Sequence, residues 1–181
     1  MRKVSVLSLS LTLLVGLNFA FAGGETIDLG GLKSTAPASW KGQTPSNRLR
    51  LYQMSIPRAD GDKEDADLAI FKDFGGTTEE NIARWKKQFI APQGKTLDET
   101  SKLEKYKVGK AEVICLDISG TYKYKFPPQD PNAKEKLKEN FRRFNVIIYT
   151  DKNSYFITLT GPAKTMQKNK EAFDSWIKAF K

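Results

Sequence analysis

The chain has 181 residues, 30 of them basic and 21 acidic, for a net charge of +9, with one cysteine and no histidine. The missing histidine excludes Ser-His-Asp and Cys-His catalysis, histidine-ligated zinc and a histidine pH switch, and the lone cysteine excludes an internal disulfide. A 39% apolar fraction with frequent aromatics excludes a disordered chain.

The first residues read as a targeting segment. Arg2 and Lys3 precede an apolar run from Val4 to Val15, and Ala20-Phe21-Ala22 supplies a small-residue cleavage site before Gly23. That order of charge, apolar core and small residues is the secretory pattern, and the run is shorter than the ~20 residues of a membrane span. No cysteine follows it, so no lipid attachment is expected. Removing 22 of 181 residues leaves 159, enough for one domain (residues 23–181) with its own core. The segment carries two basic residues and no acid, so the remainder keeps a charge of +7.

Gly30 to Ala36 reads as a first strand, followed by a Pro37-Ala38-Ser39-Trp40 turn in which Trp40 is a core anchor. Arg48 to Ile56 alternates, with Arg48, Arg50, Tyr52, Met54 and Ile56 on one side and Leu49, Leu51, Gln53 and Ser55 on the other. Ala66 to Phe74 is the next strand. Between them lies Asp60-Gly61-Asp62-Lys63-Glu64-Asp65-Ala66-Asp67. Its acids suggest calcium, but the loop has Asp65 where an EF-hand needs glycine and Phe71 where it needs glutamate, so a hairpin turn is the favoured reading over a weak cation site.

Gly75-Gly76 ends the strand. Thr77 and Glu80 then have capping-box spacing, and Ile82, Trp85 and Phe89 form one apolar stripe, which predicts a helix over Thr78–Phe89. Thr100 to Val108 is a lysine-rich edge strand. Glu112 to Tyr124 alternates most clearly: Ile114, Leu116, Ile118, Tyr122 and Tyr124 face one way, Val113, Cys115, Asp117, Ser119, Thr121 and Lys123 the other, with Gly120 marking a bulge. Residues 125–140 read as a long basic loop opened by Phe126-Pro127-Pro128, with a helical turn over Asn132–Asn140. Phe144–Thr150 and Ser154–Thr160 form a hairpin, and a C-terminal helix from Pro162 to Phe180 carries Met166, Phe173, Trp176, Ile177 and Phe180 on one face.

This sequence of elements, with the Pro37-x-x-Trp40 turn, the Tyr155-Phe156-Ile157-Thr158-Leu159-Thr160-Gly161-Pro162 junction and the ending Phe173-x-x-Trp176-Ile177-x-x-Phe180, resembles the PsbP-like superfamily. That group includes extrinsic photosystem subunits, a Ran-binding nuclear import factor and DcrB-type envelope proteins. The chain also resembles small exported proteins of unknown function carrying the Gly61-Asp62-Lys63-Glu64-Asp65-Ala66 stretch. The resemblance implies an α+β fold, a single antiparallel β-sheet flanked by two main helices in an α/β/α sandwich. It implies no common function, because the fold serves unrelated partners.

Two surfaces stand out as candidate sites. If the strands pair as expected, Asp117, Ser119, Thr121, Arg143, Asn145 and Thr158 share a polar sheet face for a small ligand or a peptide edge, with Asp117 paired to Arg143. The competing reading is an ordinary solvated face. Lys123, Lys125, Lys134, Lys136, Lys138 and Arg142, with Arg143 beside them, form a basic cluster suited to an anionic surface, although Asp130, Glu135 and Glu139 dilute it. No pattern of stacking aromatics accompanies it, which disfavours nucleic acid. Cys115, between Ile114 and Leu116, reads as a buried small hydrophobe rather than a reactive thiol.

No catalytic, metal-binding or cofactor motif is present among these patterns. The expectation is an exported, non-catalytic accessory or binding module of the periplasm or exterior, engaging a protein or an anionic envelope component. The alternative is a basic-loop binder of membrane, polysaccharide or nucleic acid. An enzyme working without histidine stands third.

Overall fold

The Gly30-Gly31 pair sets the first turn. Thr26–Leu29 (β1) and Leu32–Thr35 (β2) reverse through these glycines at φ of +70° and +102°, where a side chain would be strained. In this computed structural model residues 24–125 and 132–181 are described. The predicted export segment and the opening of the predicted basic loop, 126–131, lie outside them.

The next strands, Lys41–Gln43 (β3), Arg50–Ile56 (β4) and Ala66–Lys72 (β5), pair antiparallel in order. Helix α1 follows over Thr78–Lys87, with Thr77 and Glu80 making the predicted capping box. Phe89–Ile90 (β6), Ser101–Val108 (β7), Ala111–Tyr124 (β8), Lys136–Tyr149 (β9) and Ser154–Pro162 (β10) complete the strands, and Ala163–Lys178 is α2. The large sheet runs β3-β4-β5-β10-β9-β8-β6, with β7 also paired to β8. The last strand therefore lies between β5 and β9, in the middle of the sheet.

The expected single sheet flanked by two helices is corrected. Among the described residues the protein is mostly β: an eight-stranded antiparallel sheet, a separate two-stranded sheet and two helices. The first predicted strand is a hairpin instead, because Gly30-Gly31 breaks it. Its ribbon is tied to the chain's end by two backbone bonds between Lys33 and Lys181 (2.9 and 3.0 Å) and does not join the large sheet. The predicted loop is also shorter than expected. Lys136–Asn140 is strand, so β9 extends along β8 past the predicted bulge at Gly120.

Each face of the large sheet has its own core. On one face Met54, Leu68, Ile157, Phe144, Val146 and Val113 bury against Phe173, Trp176 and Ile177 of α2. Trp40 closes this core as predicted, stacked on Phe173 at 6.4 Å and edge-on to Trp176 at 5.3 Å. On the other face Trp85 of α1 packs on Ile114, Leu116, Ile147 and Phe156, and Phe89 on Ile118 and Phe141.

The acidic loop is part of this framework. Helix α2 has no side-chain cap and no acid in its first turn. Asp62 supplies both from a distance, its Oδ2 accepting from Thr165 N (2.8 Å) and Thr165 Oγ1 (2.6 Å). A carboxylate there satisfies a free N–H and complements the positive end of the helix.

Candidate functional site

Arg142 and Arg143 are neighbours on β9, so their side chains leave on opposite faces of the sheet. The register decides which acid each can meet. Asp117 lies opposite Phe144, one residue out of step with the predicted Arg143 pairing. A one-residue change in register moves a side chain to the other face. Asp117 therefore pairs with Arg142 on the α2 side, where Nε and Nη2 donate to its two oxygens at 2.7 and 2.6 Å. This bond pushes the Arg142 pKa up, and Nη1 donates to Gln167 of α2 at 2.7 Å. Ser119 is opposite Arg142 on that same face, and Thr121 is at the bulge, opposite Ile90.

The predicted polar face is thus divided. Arg143, Asn145 and Thr158 stay together on the α1 side, with Asn145 directly opposite Thr158 and Arg143 opposite Thr160. Asp67 continues the Arg143–Thr160 row on β5, two strands away, about 10 Å by strand spacing. Its carboxylate accepts from Arg50 Nη1 (2.8 Å) and Gln53 Nε2 (2.9 Å). Arg50 joins this face through a register shift between Arg50 and Tyr52. Its predicted companions Tyr52 and Met54 remain with the α2 core.

This face is not internally satisfied. Among the described residues six buried side-chain atoms have no hydrogen-bond partner, and four are here: Arg50 Nε, Arg143 Nε and both Asn145 amide atoms. The other two are the indole nitrogens of Trp40 and Trp176 in the aromatic core. Asn145 is 0% exposed. Arg143 donates Nη1 to Gln88 Oε1, a neutral acceptor, and forms no ion pair with the described carboxylates. Burial consequently lowers its pKa. Each unpartnered buried polar group costs about 1–3 kcal/mol. Concentrating them in one place marks a prepared site more readily than a solvated face. Gln88 also lines a shallow depression of about 560 Å³ with Glu80, Ala83, Arg84 and Lys87, which Arg143, Asn145 and Thr158 do not line.

The predicted basic cluster is dispersed. Arg142 is held by Asp117, and Lys138 donates to Glu64 at 2.6 Å while lying 4.8 Å from the Tyr124 ring centroid. Lys136 is opposite Tyr124, and Lys123, opposite Leu137, is on the reverse side of the ribbon. Lys125 immediately precedes residues 126–131, and Lys134 follows them by three positions, before β9 begins. Four of the five acids of the 60–67 loop likewise have protein partners: Asp62 with Thr165, Glu64 with Lys138, Asp65 with Arg58 N and Ser55, and Asp67 with Arg50. Among the described residues no three acids or cysteines are grouped to hold a metal.

Cys115 is 6% exposed, and burial pushes its thiol pKa up to about 12. Only the thiolate reacts. The native protein is therefore expected to consume no aromatic disulfide reagent at pH 8 over minutes, and one equivalent once unfolded in guanidinium. Fast labelling of the folded protein would contradict this burial.

Sequence reasoning missed Arg50, Asp67 and Gln88 as members of the site. Arg50 was hidden by the bulge and Gln88 by its place at the end of α1. No helix among the described residues is long and apolar enough to cross a membrane. No protein-family model and no curated protein matches the sequence. Among solved structures, the chain is similar to a protein of unknown function from Pseudomonas aeruginosa, PA94, with 14% identity and a TM-score of 0.44 over 85% of this chain and 93% of that one.

Proposed function

We propose that this chain is an exported, non-catalytic binding module whose ligand sits against Arg143, Asn145 and Thr158. The observation that supports this most is Asn145, wholly buried with neither its amide donor nor its acceptor used. Burying such a group is unfavourable unless a partner completes it. Export is supported by the pattern of residues 1–22. The reading as a binder of anionic surfaces ranks behind, because Lys138 and Arg142 are engaged by Glu64 and Asp117.

Two measurements test the proposal. Titrating the 15N-labelled protein with a panel of small polar compounds should shift the Asn145 side-chain amide and the backbone amides of β9 and β10 in a saturable way. A panel that moves none of them would remove the site. Fractionation of the producing cells, with intact-mass analysis, should find the protein outside the cytoplasm and lacking residues 1–22. Retention in the cytoplasm at full length would remove the export part.

A further inference from the structure

Resting on that binding site, we infer that its ligand is a small carboxylate carrying a hydroxyl or amide group, the acid engaging Arg143 and the second group Asn145.

The guanidinium of Arg143 lies over the Tyr122 ring at 5.7 Å and has one of its two hydrogen-bonding edges in use. Nη1 is turned to Gln88, no bond is made by Nη2, and Nε is buried without a partner. The Nε–Nη2 edge is the planar fork that receives the two oxygens of a carboxylate. The adjacent Arg142 shows the same fork filled, with Asp117 at 2.7 and 2.6 Å on the reverse face. Arg143 thus lacks what its neighbour has.

Charge agrees with this. Arg50 and Arg143 stand on one face, and the acid in Arg143's own row, Asp67 two strands away, is committed to Arg50 and Gln53. Two guanidinium charges therefore share one carboxylate, which is itself 46% exposed, and the buried Arg143 has no acid of its own. One further anion makes the patch neutral, whereas a cation or a neutral ligand leaves a buried charge uncompensated.

The second group follows from Asn145. It lies two residues along β9 on the same face, about 7 Å from Arg143 by strand rise. An amide offering an unused donor and an unused acceptor is matched by a group that has both. A hydroxyl or an amide qualifies, and a plain hydrocarbon tail does not. The span from acid to second group is that of a molecule with a few backbone atoms.

The test uses the purified protein and three probes: N-acetylglycine, its uncharged amide N-acetylglycinamide, and inorganic phosphate. Amide chemical shifts of β9 and β10 report binding. N-acetylglycine should bind at least about tenfold more tightly than the uncharged analogue, the lower end for a charged hydrogen bond. It should also bind more tightly than phosphate, which is too short to engage Arg143 and Asn145 together. Arg143→Lys keeps the charge but loses the fork and should weaken N-acetylglycine about tenfold or more. The comparison of probes on the unaltered protein stands even if that variant folds poorly. Equal binding of the acid and its amide, at the same resonances, would overturn the carboxylate while leaving the binding module intact. Phosphate binding as tightly as N-acetylglycine would likewise overturn the ligand class. If neither these probes nor the wider panel moves β9 or β10, the inference and the binding module both fail.

Discussion

Replacing Asn145 by leucine is expected to raise stability by about 1–3 kcal/mol while abolishing binding at the candidate site. The two amide atoms of Asn145 are buried and use none of their hydrogen-bonding capacity in the folded protein. Both are hydrated when the chain unfolds, so folding loses those bonds to water and regains nothing. Leucine is close to asparagine in shape and has no such loss. Its neighbours can accept it, since Leu116 flanks it on β8 and Ala69 follows Thr158 across β10 in the same row. Equilibrium unfolding in urea should show a higher midpoint with an unchanged slope. A fall in stability of 1 kcal/mol or more would mean that Asn145 is completed by a structural water, and the case for a vacant ligand position would collapse. A gain in stability at the expense of binding is the usual mark of a residue kept for function.

The opposite extreme is Phe173→Ala, which should cost about 3–5 kcal/mol. Phe173 is 0% exposed and touches three other large rings, Trp40, Phe144 and Trp176. Those rings belong to the leading turn, the sheet and α2, so one cavity loosens three parts of the core together. Domains of this size have about 5–15 kcal/mol in total, so the variant should lose about a fifth or more of its stability. Urea unfolding followed by tryptophan fluorescence reads this directly, because Trp40 and Trp176 border the cavity. A loss below about 1 kcal/mol would show that α2 is held mainly by its other contacts.

Local chemistry was the part of this fold that the sequence made legible. The capping box at Thr77 and Glu80, the anchoring of Trp40, the apolar face of α2 and the bulge at Gly120 each depend on residues near one another in the chain. What failed depended on registry between distant strands. Nothing in Asp117 or Arg143 reveals that they are one position out of step, and that offset sends Asp117 to Arg142. The bulge beside Arg50 has no glycine to announce it. The two-stranded sheet was missed because each of its strands is four residues long, the shortest run over which alternation is readable. Arg143, Asn145 and Thr158 were placed correctly because alternation alone puts them on one face once β9 and β10 form a tight hairpin.

The central position of β10 also bears on how the chain folds. β5 waits for a partner made 85 residues later, since Phe71 pairs with Phe156. During synthesis the β3–β5 ribbon exists with one edge of β5 unpaired, and the β8–β9 ribbon with one edge of β9 unpaired, until β10 emerges and pairs with both. Contacts so far apart in sequence make folding slow, and two unpaired edges invite association between chains. A chain cut short before Ser154 would be left with both edges permanently open, and it should aggregate where the complete chain folds.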